Sequence, residues 1–241
     1  MRAISIIYRR ELGAYLRAPS YWVIAFVALI VQGVLFQAHA MSGEQLSAMV
    51  LERFFWLSSG IAIGAGILLS FRLLAEERQT HSMILLTTSP VRDSHIVLGK
   101  FFAAQTFLAI LLALSFYMPM LIKVNGKITM AQVLVGYVGL FLLGSTVLAI
   151  GIFASSLTKN MVVAALGALG ITLLFCLLFP LAKRLDAPVS DVFKELDIWW
   201  VHFQQGFMRG VLNLKDIIFY LAFIYFFLLL AVKTMEAKRW Q

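Results

Sequence analysis

Residues 133–153, VLVGYVGLFLLGSTVLAIGIF, run the length of a membrane crossing without one charged side chain. A helix rises 1.5 Å per residue, so about 20 residues cross the roughly 30 Å of hydrocarbon in a bilayer. No water reaches the backbone there, and a helix closes its own N–H and C=O groups within one segment. Outward from this stretch lie further apolar segments at about Tyr21–Ala38, Phe54–Leu74, Phe101–Ile122, Met161–Leu181 and Ile217–Val232. The last is short and must borrow flanking residues to span. Composition agrees: 61% of residues are hydrophobic and 13% charged, against roughly 25% charged in an ordinary soluble domain. The predicted fold is an all-α integral membrane protein with six transmembrane helices.

Orientation follows from Lys and Arg, which accumulate on the cytoplasmic side of membrane proteins. With the N-terminus inside, the cytoplasmic segments hold Arg2, Arg9, Arg10, Arg17, Arg72, Arg78, Arg92, Lys100, Lys159, Lys233, Lys238 and Arg239, more than half of the 20 basic residues. Only Glu11, Glu76, Glu77, Asp93 and Glu236 oppose them, whereas basic and acidic residues nearly balance on the other side. Both termini are predicted cytoplasmic. The formal charge of +8 therefore reports topology rather than nucleic-acid binding. The first apolar run follows a long basic segment and lacks a small-residue cleavage pattern, so it is expected to stay in place.

One domain is expected over 1–241, divided into an interfacial helix at 1–19, a bundle at 20–233 and a cytoplasmic tail at 234–241. Residues 2–17 set Ile4, Ile7, Tyr8, Leu12 and Tyr15 on one helical face and Arg2, Arg9, Arg10 and Arg17 on the other. That is the pattern of a helix lying on the membrane, its basic face open to anionic lipid head groups or an acidic partner. Gly60, Gly64 and Gly66, with Gly136, Gly139, Gly144 and Gly151, are expected to form packing seams where helices approach closely. Pro119 is expected to kink the third span. The ASSLTKN turn forces the fourth and fifth spans into a hairpin.

The long polar interruption on the cytoplasmic side is Ala75–Lys100, AEERQTHSMILLTTSPVRDSHIVLGK. Glu76, Glu77 and Arg78 end one apolar segment; His81 and the block Met83, Ile84, Leu85, Leu86 follow; Ser89-Pro90 stops it. This reads as a short helix across the membrane face. Proline suits the first turn of the next helix, and Asp93 in that turn suits the positive end of the helix dipole. On the opposite side, Leu181–Lys215 interleaves Trp199, Trp200, Phe203 and Phe207 with His202, Gln204 and Gln205. An aromatic interfacial belt is one reading.

Catalytic chemistry is not legible. No Gly-x-x-x-x-Gly-Lys-Ser/Thr loop occurs, and Gly99-Lys100 is followed by Phe101, so the chain is not expected to hydrolyse ATP. His39, His81, His95 and His202 form no metal-binding spacing, and no histidine lies within a span to activate Ser58, Ser59 or Ser145. Cys176 stands alone, which excludes an internal disulfide. The cores of the spans carry no Asp, Glu, His or Arg, which argues against a proton- or ion-coupled carrier.

The Glu77-Arg78, Thr88-Ser89-Pro90 and Gly99-Lys100 pattern resembles the loop between the second and third membrane helices of ABC-2-type ABC transporter permeases. RRELGAYLRAPSYW near the start, GIFASSLTKNMVVAA and the LAVKTMEAKRWQ tail extend the resemblance along the chain, most closely to the gliding-motility branch. His81-Ser82-Met83-Ile84 departs from the family's Gly-Thr-Leu-Glu, so no ion pair is carried over to Ile84. The resemblance implies a permease subunit, and an exporter, of the bacterial inner membrane. A separate cytosolic ABC-type ATPase would dock on 75–90 through Glu76, Glu77, Arg78, His81, Met83, Leu85, Leu86 and Pro90. Arg9, Arg10, Glu11 and Arg17 would form the interfacial helix, and Trp199, Trp200, Phe203 and Phe207 an extracytoplasmic gate of short re-entrant helices. ATP and Mg would sit on the ATPase, and this chain would bind no cofactor. A second permease copy or paralogue, membrane lipids and an auxiliary subunit with a large extracytoplasmic domain are the further partners implied. A non-transporting scaffold that transmits force remains the alternative, with an ion-coupled carrier below it.

Overall fold

The computed structural model describes residues 2–40, 46–79, 92–186 and 189–239, and among them it is helical with no strand. The helices are α1 (Arg2–Arg17), α2 (Pro19–Leu35, extended by a π-type turn at Phe36–Ala40), α3 (Ser47–Ser70), α4 (Arg72–Gln79), α5 (Asp93–Ser115) and α6 (Tyr117–Asn125). They continue with α7 (Met130–Leu157), α8 (Met161–Cys176), α9 (Leu178–Ala182), α10 (Val189–Glu195) and α11 (Leu214–Arg239). Two single turns, Trp200–Gln204 and Phe207–Arg209, lie between α10 and α11.

Among the described residues five stretches are long and apolar enough to cross a membrane: Pro19–Ala38, Ser47–Ala75, Asp93–Val124, Met130–Leu157 and Leu214–Lys238. The final span does borrow flanking residues, as expected. The expected run to Leu181 instead divides. Met161–Cys176 has 16 residues, about 24 Å of helix, and the chain turns at Leu177 before α9 begins. Length and composition thus support five spans, with α8 as a shorter apolar helix.

Local chemistry sets the boundaries. Thr129 and Gln132 form a reciprocal capping box that starts α7. Asn160 Oδ1 accepts from the Val162 and Val163 amides to start α8, so the Thr158–Asn160 turn holds α7 and α8 as a hairpin. Pro119 lacks the N–H that would bond to Ser115, and its ring opposes that carbonyl; the helix breaks at Phe116 between α5 and α6. α5 starts at Asp93, so Pro90 precedes it, outside the described residues.

The bundle is organised on α7, which packs against α3, α4, α5, α8 and α11. In a bilayer no hydrophobic force draws helices together; close packing and polar contacts must do so. Accordingly a Cβ on Gly136 would fall inside the Phe55 ring, one on Gly144 would meet Leu108, and one on Gly66 would lie 3.0 Å from Val147 Cγ1. Gly60 and Gly64 depart from the expectation, because nothing lies within 4 Å of a Cβ at either position. They border grooves rather than seams. Buried polar pairs join the helices further: Gln32 Nε2 donates to Ser58 Oγ at 2.7 Å, and Gln105 Nε2 to Ser145 Oγ at 3.0 Å.

Candidate functional site

The described candidate residues gather toward the two ends of α7 and on α1. At its C-terminal end, α3 breaks at Phe71 and resumes as α4. The first amides of a new helix have no partner within that helix. Here Leu74 and Ala75 donate theirs to Ser155 Oγ of α7, at 3.1 and 2.8 Å, while the same hydroxyl donates to Phe71 O at 2.9 Å. Ser155 thus caps α4 from another helix and holds both sides of the break. One turn back, a Cβ on Gly151 would collide with Ser70, so α3 reaches α7 only because residue 151 has no side chain. Lys238 Nζ closes the end of α7 by donating to the Ser156 and Leu157 carbonyls at 3.1 and 2.7 Å. Glu76, Glu77 and Arg78 fall within α4, whereas His81, Met83, Leu85, Leu86 and Pro90 lie outside the described residues.

α1 lies against α5. Ile7 and Tyr15 are buried, Ile4, Tyr8 and Leu12 half-buried, and Arg9, Arg10 and Arg17 exposed, as their alternation along the helix predicts. Gly99 permits the crossing, since a Cβ there would sit 2.8 Å from Ile7 Cγ2. Beside it Lys100 is buried and pairs with Glu11 at 3.2 Å. Burial acts to raise the Glu11 carboxyl, but Lys100 and Arg10 outweigh it and hold it below the ordinary 4.5. Tyr15 Oη donates to Leu69 O at 2.8 Å and so ties α1 to α3 two residues before the break.

At the N-terminal end of α7 lies the aromatic segment. Phe203 and Phe207 are fully buried, and Phe207 rests where a Cβ on Gly139 would be 2.3 Å from its own Cβ. Trp199 Nε1 donates to Ser59 Oγ of α3 at 2.8 Å, which leaves Trp199 a fixed side chain rather than a freely oriented membrane anchor. Asp197 directs the turn. Its Oδ1 accepts from the Trp199, Trp200 and Val201 amides, and its Oδ2 from the Phe179 amide of α9 at 3.1 Å. Burial pushes this carboxyl up, and the four donors act against that rise. His202 and Asp216 pair at 2.7 Å, both buried. A directing role for Asp197 could have been found in the LDIWW string, where an acid precedes a turn; the His202–Asp216 pair joins residues far apart in the chain and left no local signal.

An apolar groove of about 320 Å³ lies between α3 and α8, lined by Gly60, Ile63, Leu173, Cys176, Trp199 and Trp200. A second groove of about 300 Å³, containing Gly64, lies between α2 and α3. On α8, Val162, Val163, Leu166, Leu169, Leu173 and Leu174 are exposed.

Apolar spans, a broken helix at one end and a packed aromatic segment at the other define a multi-pass helical membrane protein. The family described as ABC-2 family transporter protein matches residues 5–223, and the chain belongs to that family. Membership makes the chain a membrane permease of the ABC-transporter type, a transport subunit rather than a catalytic one, and implies association with an ABC ATPase. No curated protein matches the chain.

Proposed function

We propose that this chain is the transmembrane subunit of a bacterial exporter, driven by a separate cytosolic ATPase that docks on residues 75–90. The observation that carries the reading is the capping of α4 by Ser155. The helix leading into the docking loop is tied by its backbone to the central helix of the bundle, so a displacement of the loop is delivered to α7 rather than lost in a flexible connection. Glu76, Glu77, Arg78 and His81 position the loop on the ATPase, and Met83, Leu85 and Leu86 anchor it in an apolar pocket, with Pro90 ending it. ATP and Mg belong to the ATPase. Arg9, Arg10 and Arg17 face anionic lipid at the inner surface of the bacterial cytoplasmic membrane, both chain termini being cytoplasmic.

A second copy or a paralogue completes the path. The α3–α8 groove is apolar and open beside the exposed face of α8, which supports its being half of a passage whose other half comes from the partner permease. In that assembly α8 and α9 together act as a sixth span. Trp199, Trp200, Phe203 and Phe207 form the outer gate, and the gliding-motility likeness brings in an auxiliary subunit with a large domain outside the membrane.

The test is purification of the tagged protein in mild detergent, with identification of what accompanies it and an ATPase assay on the product. Recovery of an ABC ATPase, lost or uncoupled by Leu85→Asp and by Glu77→Ala while insertion is intact, supports the reading. A Leu85→Asp protein that co-purifies with fully coupled ATPase refutes the docking assignment. An intact complex that moves no cargo favours the force-transmitting scaffold, and uptake driven by an ion gradient without ATP favours a carrier.

A further inference from the structure

His202 lies in the Trp200–Gln204 turn with both ring nitrogens against acceptors. Nδ1 is 2.7 Å from Asp216 Oδ1, at the start of α11, and Nε2 is 3.1 Å from the Glu195 carbonyl oxygen, at the end of α10. A carbonyl oxygen only accepts, and an ionised carboxylate only accepts; a neutral imidazole has one N–H. Both bonds therefore form together only when the ring, or the ring with its carboxyl, holds one extra proton. Phe219 stacks on the ring at 3.8 Å, and Asn213 Nδ2 donates to Asp216 Oδ2 at 3.2 Å, so neither partner turns away without breaking another contact.

We infer that His202 is a proton-dependent latch joining α10, the aromatic turn and α11. When the extra proton leaves, the ring keeps its N–H toward the Asp216 carboxylate, as in any imidazole–carboxylate pair, and Nε2 turns a lone pair on the Glu195 carbonyl. That contact is then repulsive, and the end of α10 is released on the alkaline side. The inference concerns this segment alone and stands whether or not the chain transports.

Other titratable groups surround the latch. Asp197 is held by four backbone amides, Tyr220 Oη donates to Ile198 O at 2.6 Å, and Cys176 lies on α8. Lys215 and Glu195 pair at 2.7 Å in solvent. The Phe207–Arg209 turn brings only Arg209, which is exposed, and α7 brings only Tyr137, which is bonded to Ser115. Substituting Asp216 leaves all of these in place and separates their titration from that of His202.

The experiment is hydrogen exchange of residues 189–198 in the full chain in nanodiscs, read as protection factors so that the intrinsic pH dependence cancels, from about pH 6 to about pH 10. In the wild type, protection is expected to fall by about tenfold or more on the alkaline side, while that of α7 does not. In Asp216→Asn the amide donates to Nδ1 of a neutral ring, Nε2–H still reaches Glu195, and protection stays flat. If Asp216→Asn does not fold, His202→Gln serves, since it has nothing to titrate and is also expected to be flat. Nitrogen-15 spectra of the His202 ring over the same pH range give an independent reading, since in the wild type a change in the ring's protonation or tautomer should accompany the loss of protection, whereas in Asp216→Asn only Nε2 carries a proton. A wild type without alkaline loss, a wild-type ring whose spectrum does not change where protection is lost, or a substituted protein that loses protection in parallel with the wild type overturns the latch.

Discussion

Gly139→Ala tests whether the aromatic segment is seated by α7. The added Cβ would lie 2.3 Å from Phe207 Cβ, 2.6 Å from Phe207 Cγ and 3.2 Å from Phe203 Cε2. Ordinary carbon contact begins near 3.4 Å, so Phe207 must retreat by about 1 Å. Rotation about χ1 does not help, because the closest atom is the β-carbon and moves only with its backbone. The Phe207–Arg209 turn must shift as a unit, while Gly210, in the left-handed conformation at φ 78°, limits how the chain after it adjusts. Overpacking of this kind costs about 1–3 kcal/mol, which at 25 °C is roughly a fivefold to 150-fold shift toward an undocked segment. Peptides covering 199–213 should then exchange faster by about that factor, with 140–157 unchanged, and a tryptophan-quenching assay should find Trp199 and Trp200 more accessible. Exchange across 199–213 equal to wild type would refute the argument. Gly60→Ala, on α3 with no neighbour within 4 Å, is the matched control.

Ser155→Ala should strip two amides of α4 of their partner, at about 1–3 kcal/mol for each buried group left unsatisfied. Hydrogen exchange across 72–79 should rise, and ATPase-driven activity should fall more than ATPase recovery. Gly60→Leu should fold normally, since it meets open space, yet fill the α3–α8 groove; loss of flux with intact ATPase binding supports the groove as a path, and unchanged flux removes it. The Glu11 pair should show acid sensitivity. Its carboxyl is held below 4.5, so its contribution is complete above that pH and is lost as pH falls through the lower folded value. A thermal-stability profile of Glu11→Gln should accordingly lose the acid-side slope that this group gives the wild type. Asp197→Asn should keep an oxygen for the Trp199–Val201 amides but set an NH2 against the Phe179 amide, loosening α9 more than the Trp turn, as measured by exchange at 178–182 against 199–204.

The bundle was readable from sequence because spans are decided by runs of apolar residues, and α1 because its burial repeats every few residues. What sequence did not reveal was a break. The apolar run to Leu181 looks continuous in composition, but Leu177 and Pro180 sit among leucines and phenylalanines that hide the break at Leu177. Glycine also divided where sequence could not divide it. Gly136, Gly139, Gly144 and Gly151 meet neighbours while Gly60 and Gly64 do not, since which face of a helix carries a partner is a tertiary fact. Sequence counted Lys100 among the basic residues at a span end but gave no sign of its burial, which depends on α1 folding back across it, with Gly99 making room. His202 with Asp216 and Ser155 with α4 unite residues whose individual types are ordinary, and only their juxtaposition carries meaning.

The two ends of the molecule are joined by one continuous helix. α7 spans about 42 Å, has no proline, and is gripped along its length by α3, α5, α8 and α11. Ser155 binds its C-terminal end to α4 and Gly139 receives Phe207 toward its N-terminal end, so α4 and the aromatic turn are in contact with one helix. A small tilt of α7 would then change both contacts together, whereas local loosening at either end would change only one. A double-substitution cycle distinguishes these. If Ser155→Ala and Gly139→Ala act on separate local equilibria, their effects on exchange at 199–213 should be independent, because the sites lie far apart. If α7 moves as a strut, Ser155→Ala alone should alter protection at 199–213, and the combined effect should depart from the sum by about 0.5 kcal/mol or more. Independence within error would mean that the far end is not governed through α7, and any coupling of the two ends would then be sought in α3, which carries both the break at Phe71 and the Ser59 contact to Trp199.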